Sequence, residues 1–127
     1  MIEANPWADI IGPCYNPTSL TRTLGWTEAQ VAAAAATLDV LELDTDEGVL
    51  LYPAFQVREG TLVDGVGAVL QVLSTGTRSR WTWAQWLNTG LDDGEGGEEP
   101  SAVGQLRAGR LAEVMFDARH DAWAWSN

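Results

Sequence analysis

The side chains best suited to covalent chemistry in this sequence are one cysteine, Cys14, and one histidine, His120. Nucleophilic catalysis needs a nucleophile, a base that activates it and a group that orients the base. The two residues lie far apart in the chain, and Asp117 and Asp121 near His120 are typical of a solvent-exposed helix surface. No glycine-rich phosphate loop, HExxH or CxxC pattern occurs in the sequence. We therefore predict no enzyme activity, no catalytic residue and no cofactor, with a small enzyme that uses Cys14 or His120 as the distant alternative.

Carboxylates that could hold a metal ion are abundant, but in this chain they have little specificity. The segment 91–99, LDDGEGGEE, is acidic and rich in glycine, which favours a mobile, solvated surface loop over an ion site. The segment 44–48, DTDEG, resembles the start of a calcium loop. Its glycine comes one residue early and no glutamate occupies the twelfth position, so the EF-hand pattern is not met. We predict no metal site.

The net charge limits the choice of partner. Eighteen acidic residues and seven arginines, with no lysine, give a net charge of −11. This surface repels a phosphate backbone and lacks the cations whose binding releases counterions from DNA. The charge therefore disfavours nucleic acid and favours a basic partner, or none. The alternative explanation is that the acidity only keeps the protein soluble.

The last helix predicted from the sequence, Leu111 to Trp125, carries the candidate binding residues. One stripe of its side chains has the spacing of a core face: Leu111, Val114, Met115, Ala118, Ala122 and Trp125. Phe116 and Trp123, seven residues apart, form a second stripe about a third of a turn away. Either this stripe meets a partner, or the N-terminal segment returns over it. The candidate partner-binding residues are Phe116, His120, Trp123 and Trp125.

The stretch from Leu24 to Val57 has the outline of a winged helix-turn-helix. Thr27 and Gln30 form a capping-box pattern at the start of a helix predicted over 28–38, and two strand-like runs, 40–45 and 49–52, follow it. The run of five alanines, 32–36, favours close helix packing. Alanine is the best helix former, but reading base edges in DNA needs longer polar side chains, which this run lacks. If this motif does bind DNA, the candidate residues are Arg22, Glu28 and Gln30.

The remaining elements are predicted to be mainly helical. An apolar face begins at Leu62 and ends before Gly76, and a tryptophan-rich helix follows with Ser79 as its cap. Pro100 is expected at the first position of a two-turn helix that ends near Arg107. An additional helical turn with Trp7, Ile10 and Ile11 is expected near the N-terminus.

The fold class predicted from these elements is mainly α (α+β). We expect a degenerate winged helix-turn-helix with one β-hairpin at about 40–57, followed by a bundle of about four helices. The expected organisation is a single compact domain over 1–127, with a helix-turn-helix-like region at 6–58 and a helical unit at 61–125. The sequence contains no run of 18 apolar residues and no basic segment followed by an apolar run at its N-terminus. We therefore expect a cytoplasmic protein with no membrane contact.

The order of several segments resembles a known family. GPCY, LGWTEAQV, LELDTDEG, LYPAFQ, WTWAQWLN and LRAGR follow one another in this chain. In this order they resemble actinobacterial proteins related to the Xre/MbcA/ParS-type antitoxins, in which a helix-turn-helix region precedes a toxin-binding domain. The resemblance implies that Trp86, Leu87 and 106–109 belong to the toxin-binding unit. It also implies a partner toxin of the RES type, which degrades NAD and whose cleft the antitoxin blocks with its C-terminal region.

The function expected from the sequence is therefore that of an antitoxin-like protein that binds and neutralises a partner toxin through its C-terminal helical region. The alternative is a winged-helix DNA-binding transcriptional regulator. The two expectations place the working surface at opposite ends of the chain. A homodimer is compatible with either.

Overall fold

The structure, a computed structural model, describes residues 11–92 and 98–126. Its helices, in chain order, are α1 (Pro17–Leu24), α2 (Glu28–Ala36), α3 (Val66–Leu73), α4 (Arg80–Asn88), α5 (Ala102–Arg107) and α6 (Leu111–Ser126). Its strands are β1 (Cys14–Tyr15), β2 (Leu43–Asp44), β3 (Leu50–Pro53), β4 (Val57–Arg58), β5 (Thr61–Leu62), β6 (Gly90–Asp92) and β7 (Glu98–Ser101). The predicted fold class, mainly helical with a small antiparallel sheet, is confirmed.

Local capping chemistry sets the start of both helices of the helix-turn-helix. Asn16 caps α1 with a complete capping box to Ser19, and Pro17 occupies its first turn, where the missing N–H is not needed. Gly25 ends α1 with a left-handed φ of 71°. Thr27 then caps α2, and its reciprocal box with Gln30 confirms the prediction from the sequence.

Helix α2 is shorter than predicted, because it ends at Ala36 and not at Leu38. The Thr37 hydroxyl lies 3.2 Å from the carbonyl oxygens of both Ala33 and Ala34, and Leu38 takes a left-handed φ of 64°. This turn sends the chain toward the core, where Val40 is buried. Burial of the chain after the helix therefore outweighs the helix propensity of its last residues.

The predicted wing is present, but its strands are shorter than the apolar runs in the sequence. Strand β3 pairs antiparallel with β2 on one side and with β1 on the other, in the order β1-β3-β2. The connecting loop carries Gly48 at a left-handed φ of 78°, as expected for a hairpin of this kind. Strand β1 was not predicted, because two residues are too few to show an alternating pattern.

A second hairpin replaces the start of a predicted helix. Leu62, which the sequence placed on the apolar face of a helix, pairs with Val57 in the β4–β5 hairpin. Its turn uses Glu59 and Gly60, with φ values of 53° and 79°. Helix α3 therefore begins only at Val66, and the prediction from Leu62 onward was wrong at this end.

The acidic segment after α4 also differs from the prediction. Strands β6 and β7 pair as an antiparallel hairpin, so the segment 91–99 is not one continuous loop, and 93–97 lie outside the described residues. Pro100 lies in β7 and is not the first residue of a helix. Helix α5 begins at Ala102, with the Ser101 hydroxyl accepting the Gly104 N–H. The cap at Ser101, and not Pro100, thus fixes the start of this helix.

Two apolar clusters hold the described part of the chain together. The smaller lies within the helix-turn-helix and wing, and its buried members are Leu20, Val31, Val40, Tyr52 and Val57. The larger joins the C-terminal helices to the residues after α2, and it includes Leu41, Leu43, Leu70, Trp83, Val103 and Val114. Ile11 is buried in this cluster, whereas Trp7 and Ile10 lie outside the described residues. None of the described helices has both the length and the apolar content needed to cross a bilayer.

Candidate protein-binding surface

Helix α6 is the longest described helix and packs by one narrow face. Val114, Ala118 and Ala122 are buried, and the helix lies mainly against α3. Gly76, just after α3, permits the close approach, because a Cβ added there would lie 2.6 Å from the Ala122 Cα. Real Cβ atoms do not approach backbone so closely. A side chain at position 76 would therefore push α6 away from α3.

A polar contact fixes the rotation of α6 about its axis. The indole Nε1–H of Trp86 on α4 donates to Oδ2 of Asp121 across 2.6 Å. Hydrogen bonds to an ionised acceptor are short and among the stronger ones in proteins. Together with the Gly76 contact, this bond determines which side of α6 faces outward.

The side of α6 that faces outward carries two large aromatic residues. Phe116 is 72% exposed and Trp123 is 65% exposed. Seven residues of helix place the two side chains within about 20° of each other around the axis and about 10 Å apart along it. Arg119 and His120, both exposed, lie between them along the axis. We call these four residues the aromatic face.

The structure only partly reproduces the buried and exposed sides that the sequence predicts for α6. The predicted core stripe is wrong at both ends, because Leu111 is 41% and Trp125 is 36% exposed. Leu111 still covers Gly65, since a Cβ added at Gly65 would lie 2.7 Å from Leu111 Cδ1. Trp125 lies on the opposite side of the helix from Phe116 and so does not join the aromatic face. Of the four candidate residues, the structure brings together Phe116, His120 and Trp123.

The groups considered for covalent chemistry lie in different surroundings. Cys14 is half-buried in β1, and this burial raises the pKa of its thiol above the ordinary value. A raised pKa reduces the thiolate fraction at neutral pH, which is unfavourable for a nucleophile. His120 is exposed on α6. Within residues 11–92 and 98–126, no group of three or more His, Cys, Asp and Glu side chains is placed to hold a metal ion.

The exposed surface of α1 and α2, which a helix-turn-helix would use to bind DNA, has few side chains suited to that role. Arg22 is exposed on α1 and Glu28 lies at the start of α2, but the Gln30 Oε1 accepts the Thr27 N–H at 2.8 Å. Gln30 is thus used as a cap. The remaining exposed residues of α2 are alanines: Ala29, Ala32, Ala33 and Ala36. A shallow cleft of about 310 Å³ runs beside them, lined by Trp26, Gln30, Ala33, Ala34, Thr37 and Asp39.

The wing of this motif also carries negative charge. Asp44, Asp46 and Glu47 are all exposed at or next to its tip. In winged-helix proteins that bind DNA, the cations near the backbone supply much of the affinity. Three carboxylates at this place oppose that interaction.

Helix α4 connects the wing to the C-terminal helices. The indole Nε1–H of Trp81 donates to the Asp44 carbonyl oxygen at 3.2 Å, and the Arg80 guanidinium lies 3.7 Å from a Glu42 carboxylate oxygen. The Tyr52 hydroxyl donates to the other Glu42 oxygen at 2.8 Å. Burial first, and then the hydrogen bond and the charge of Glu42, raise the pKa of Tyr52 well above its ordinary value.

Gln56 is a structural residue that sequence reasoning did not single out. It is fully buried, its Oε1 accepts the Leu41 N–H at 2.8 Å, and its Nε2 donates to the Leu41 carbonyl oxygen at 2.9 Å. These two bonds satisfy the backbone of the segment between α2 and the wing, where neither helix nor strand does so. The only indication of this role in the sequence is that Gln56 is a polar residue at the end of the apolar LYPAFQ segment.

Comparisons with known proteins identify the fold but no family. No family model matches the chain, and a search of curated proteins finds no match. Among solved structures, the chain is similar to an NMR structure of Rv2175c, a mycobacterial protein. The similarity covers 96% of this chain and 86% of the other, with a TM-score of 0.66 and 22% sequence identity. At this identity the likeness shows a shared fold, in a protein of actinobacterial origin.

Proposed function

We propose that this chain is an antitoxin-like binding protein that neutralises a partner toxin through the aromatic face of α6. The observation that carries the proposal is the pair Phe116 and Trp123, exposed on the side of a helix opposite to its packed side. The resemblance to the Xre/MbcA/ParS-type antitoxins supports a toxin of the RES type as the partner. The function requires occlusion of the partner's cleft and no catalysis by this chain.

The energetics of aromatic side chains favour this use of the face. Phe and Trp side chains bury about 150–250 Å² each, and tryptophan is enriched among the residues that dominate binding energy. A helix that presents aromatic anchors one or two turns apart is the usual ligand of an apolar groove. The spacing of Phe116 and Trp123 by seven residues fits that arrangement.

The way in which α6 is held supports binding without a large conformational cost. The Trp86–Asp121 bond and the close contact at Gly76 fix the helix on the body of the protein. A helix that is ordered before binding loses less conformational entropy when the complex forms. We infer that the aromatic face is presented as a rigid ridge.

The test begins with the protein encoded by the reading frame adjacent to that of this chain. We expect the two to co-purify, and we expect Phe116→Ala and Trp123→Ala each to weaken binding by about 2 kcal/mol, or roughly 30-fold, in titration calorimetry. Val49→Ala is the matched control, because Val49 is 47% exposed but lies on the wing. Wild-type binding that is unaffected by both α6 substitutions would contradict the proposal.

A DNA-binding regulator is the second candidate, and one observation favours it. Helices α1 and α2 pack against each other across a short turn, and a hairpin follows them, as in winged-helix proteins. The alanine surface of α2 and the acidic wing disfavour it. A fluorescence-anisotropy titration with the chain's own promoter, at about 50 mM salt, separates the candidates. Specific binding that Arg22→Ala abolishes, together with no protein partner, would replace the first proposal with the second.

A further inference from the structure

The charges beside the aromatic face are not evenly distributed. With about 100° between successive residues of a helix, Glu113 and Asp117 lie on the same flank as His120, and Arg119 lies on the other flank. Glu113 and Arg119 are exposed and Asp117 is half-exposed. The aromatic face therefore has an apolar centre and, in Arg119, a basic edge. Glu113 and Asp117 border the face on the other flank, and we call these two residues the acidic edge.

We infer that the partner is a basic protein whose apolar groove receives α6 and whose rim carries Lys or Arg side chains opposite the acidic edge. This inference rests on the proposed function and specifies the chemistry of the partner. The net charge of −11 would draw a basic protein toward this chain before contact. Glu113 and Asp117 would then set the direction in which α6 enters the groove.

A second copy of this chain fits the face less well. In an antiparallel pairing of two α6 helices, the same edge of each helix meets, so Glu113 and Asp117 would face their own counterparts. A parallel pairing avoids that contact, but it still brings together two molecules that each carry a charge of −11. Like charges held close together at an interface oppose association. Charge complementarity therefore favours a different, basic protein.

The experiment measures association and dissociation rates for the protein from the adjacent reading frame, on wild type and on three variants. In Glu113→Gln/Asp117→Asn the acidic edge is neutral, and in Arg119→Gln the basic edge is neutral. The third variant, Phe116→Ala, removes an aromatic anchor from the exposed centre of the face. The rates are recorded at about 50, 150 and 500 mM salt, because screening weakens steering between charged surfaces.

We expect the wild-type association rate to fall with salt, and the acidic-edge variant to associate about three- to tenfold more slowly at low salt. Arg119→Gln should not slow association, since it makes the chain more negative. Binding that depends on Phe116 but not on salt or on the acidic edge overturns the inference alone. Sedimentation showing a dimer of this chain that Phe116→Ala dissociates would place a second copy on the aromatic face, and it would overturn both the inference and the proposed function. No binding of the adjacent protein under any condition overturns the proposed function as well.

Discussion

Helices α2 and α6 are the two candidate recognition helices of this protein, and their exposed residues differ in kind. Helix α2 exposes mainly alanine, and its one long uncharged polar side chain, Gln30, caps the helix. Helix α6 exposes Phe116 and Trp123. The position of a helix in a fold therefore does not show whether it binds a partner. The side chains at its surface decide that.

Each region has its own apolar cluster, but the contacts that add to this packing differ between the two regions. The helix-turn-helix and wing depend on capping boxes and on the Gln56–Leu41 hydrogen bonds. Helix α6 depends on close apolar packing, with Gly76 against Ala122, and on one hydrogen bond from Trp86. Substitutions that affect one type of interaction can test this comparison.

The largest effect is expected from Gly76→Ala. The new Cβ would meet the backbone of Ala122, which cannot rotate away as a side chain can. We expect the free energy of unfolding to fall by about 3 kcal/mol or more, at or above the upper end for overpacked sites. Denaturant unfolding followed by tryptophan fluorescence measures it. Partner affinity should fall in parallel, since α6 is displaced.

Gly25→Ala is the matched control for that substitution. Gly25 has a left-handed φ of 71°, but no atom lies within 4 Å of a Cβ built there. Gly25→Ala should therefore lower the free energy of unfolding only by the cost of an alanine in a left-handed backbone conformation, about 1 kcal/mol. Equal losses of stability in the two variants would contradict the view that contact, and not backbone conformation, decides the effect at Gly76.

The next effect concerns the buried hydrogen bonds beside the wing. Gln56→Leu retains the approximate volume of the side chain and leaves the N–H and carbonyl of Leu41 without their side-chain partners. A buried unsatisfied group costs about 1–3 kcal/mol, and at the lower part of that range, about 1–2 kcal/mol for each of the two groups, we expect a loss of about 2–4 kcal/mol. Gln30→Leu, which removes an exposed cap, should cost less than about 1 kcal/mol. Thermal unfolding by circular dichroism compares the two variants, and a reversed order would disprove the assignment.

A smaller effect is expected where α4 meets α6. Trp86→Phe removes the indole donor to the Asp121 carboxylate and keeps an aromatic ring. Loss of a hydrogen bond to a charged group predicts a cost of about 1.5–3 kcal/mol. Trp81→Phe is the comparison on the wing side, where the donor bonds to a neutral carbonyl at 3.2 Å. We expect it to cost about 1 kcal/mol, and hydrogen exchange of the α6 amides should rise only in the Trp86 variant.

The smallest effect is a dependence of stability on alkaline pH. The pKa of Tyr52 is raised in the folded state, so its contribution is complete below the unfolded pKa of about 10 and declines as pH rises toward the folded value. Wild-type stability should therefore fall above about pH 10, with a limiting slope of about 1.4 kcal/mol per pH unit from this group. Tyr52→Phe should remove that part of the slope in urea unfolding at about pH 9 to 11. An identical dependence of stability on pH in the wild type and in Tyr52→Phe would disprove this role of Tyr52.

Much of the local structure was predictable because its causes are local. The capping box of Thr27 and Gln30, the Ser79 cap and the glycine of the wing loop all follow from neighbouring residues, and the structure confirms them. Errors occurred where pairing between two segments determined the outcome. Leu62 joins a strand because Val57 lies beside it, and helical periodicity does not show that pairing.

The candidate site was predictable only in part. Phe116 and Trp123 share a side of any helix that contains them, because their spacing is close to two turns. The sequence did not show that Leu111 and Trp125 would be partly exposed. It also did not show that Gly76 is a contact point, because a glycine after a helix is equally well explained as its end.

The sequence by itself determined the charge of −11, the capped helices, the mainly helical fold class and the pairing of two aromatic residues on one side of the last helix. The sequence left open whether the side with the two aromatic residues is covered, and only the tertiary structure decided that this side faces outward. That choice depends on the bond between Trp86 and Asp121, which are 35 positions apart, and on the contact between Gly76 and Ala122, which are further apart still. No local pattern reaches so far along the chain. Periodicity gives the relative positions of side chains around a helix, whereas packing fixes the orientation of the helix.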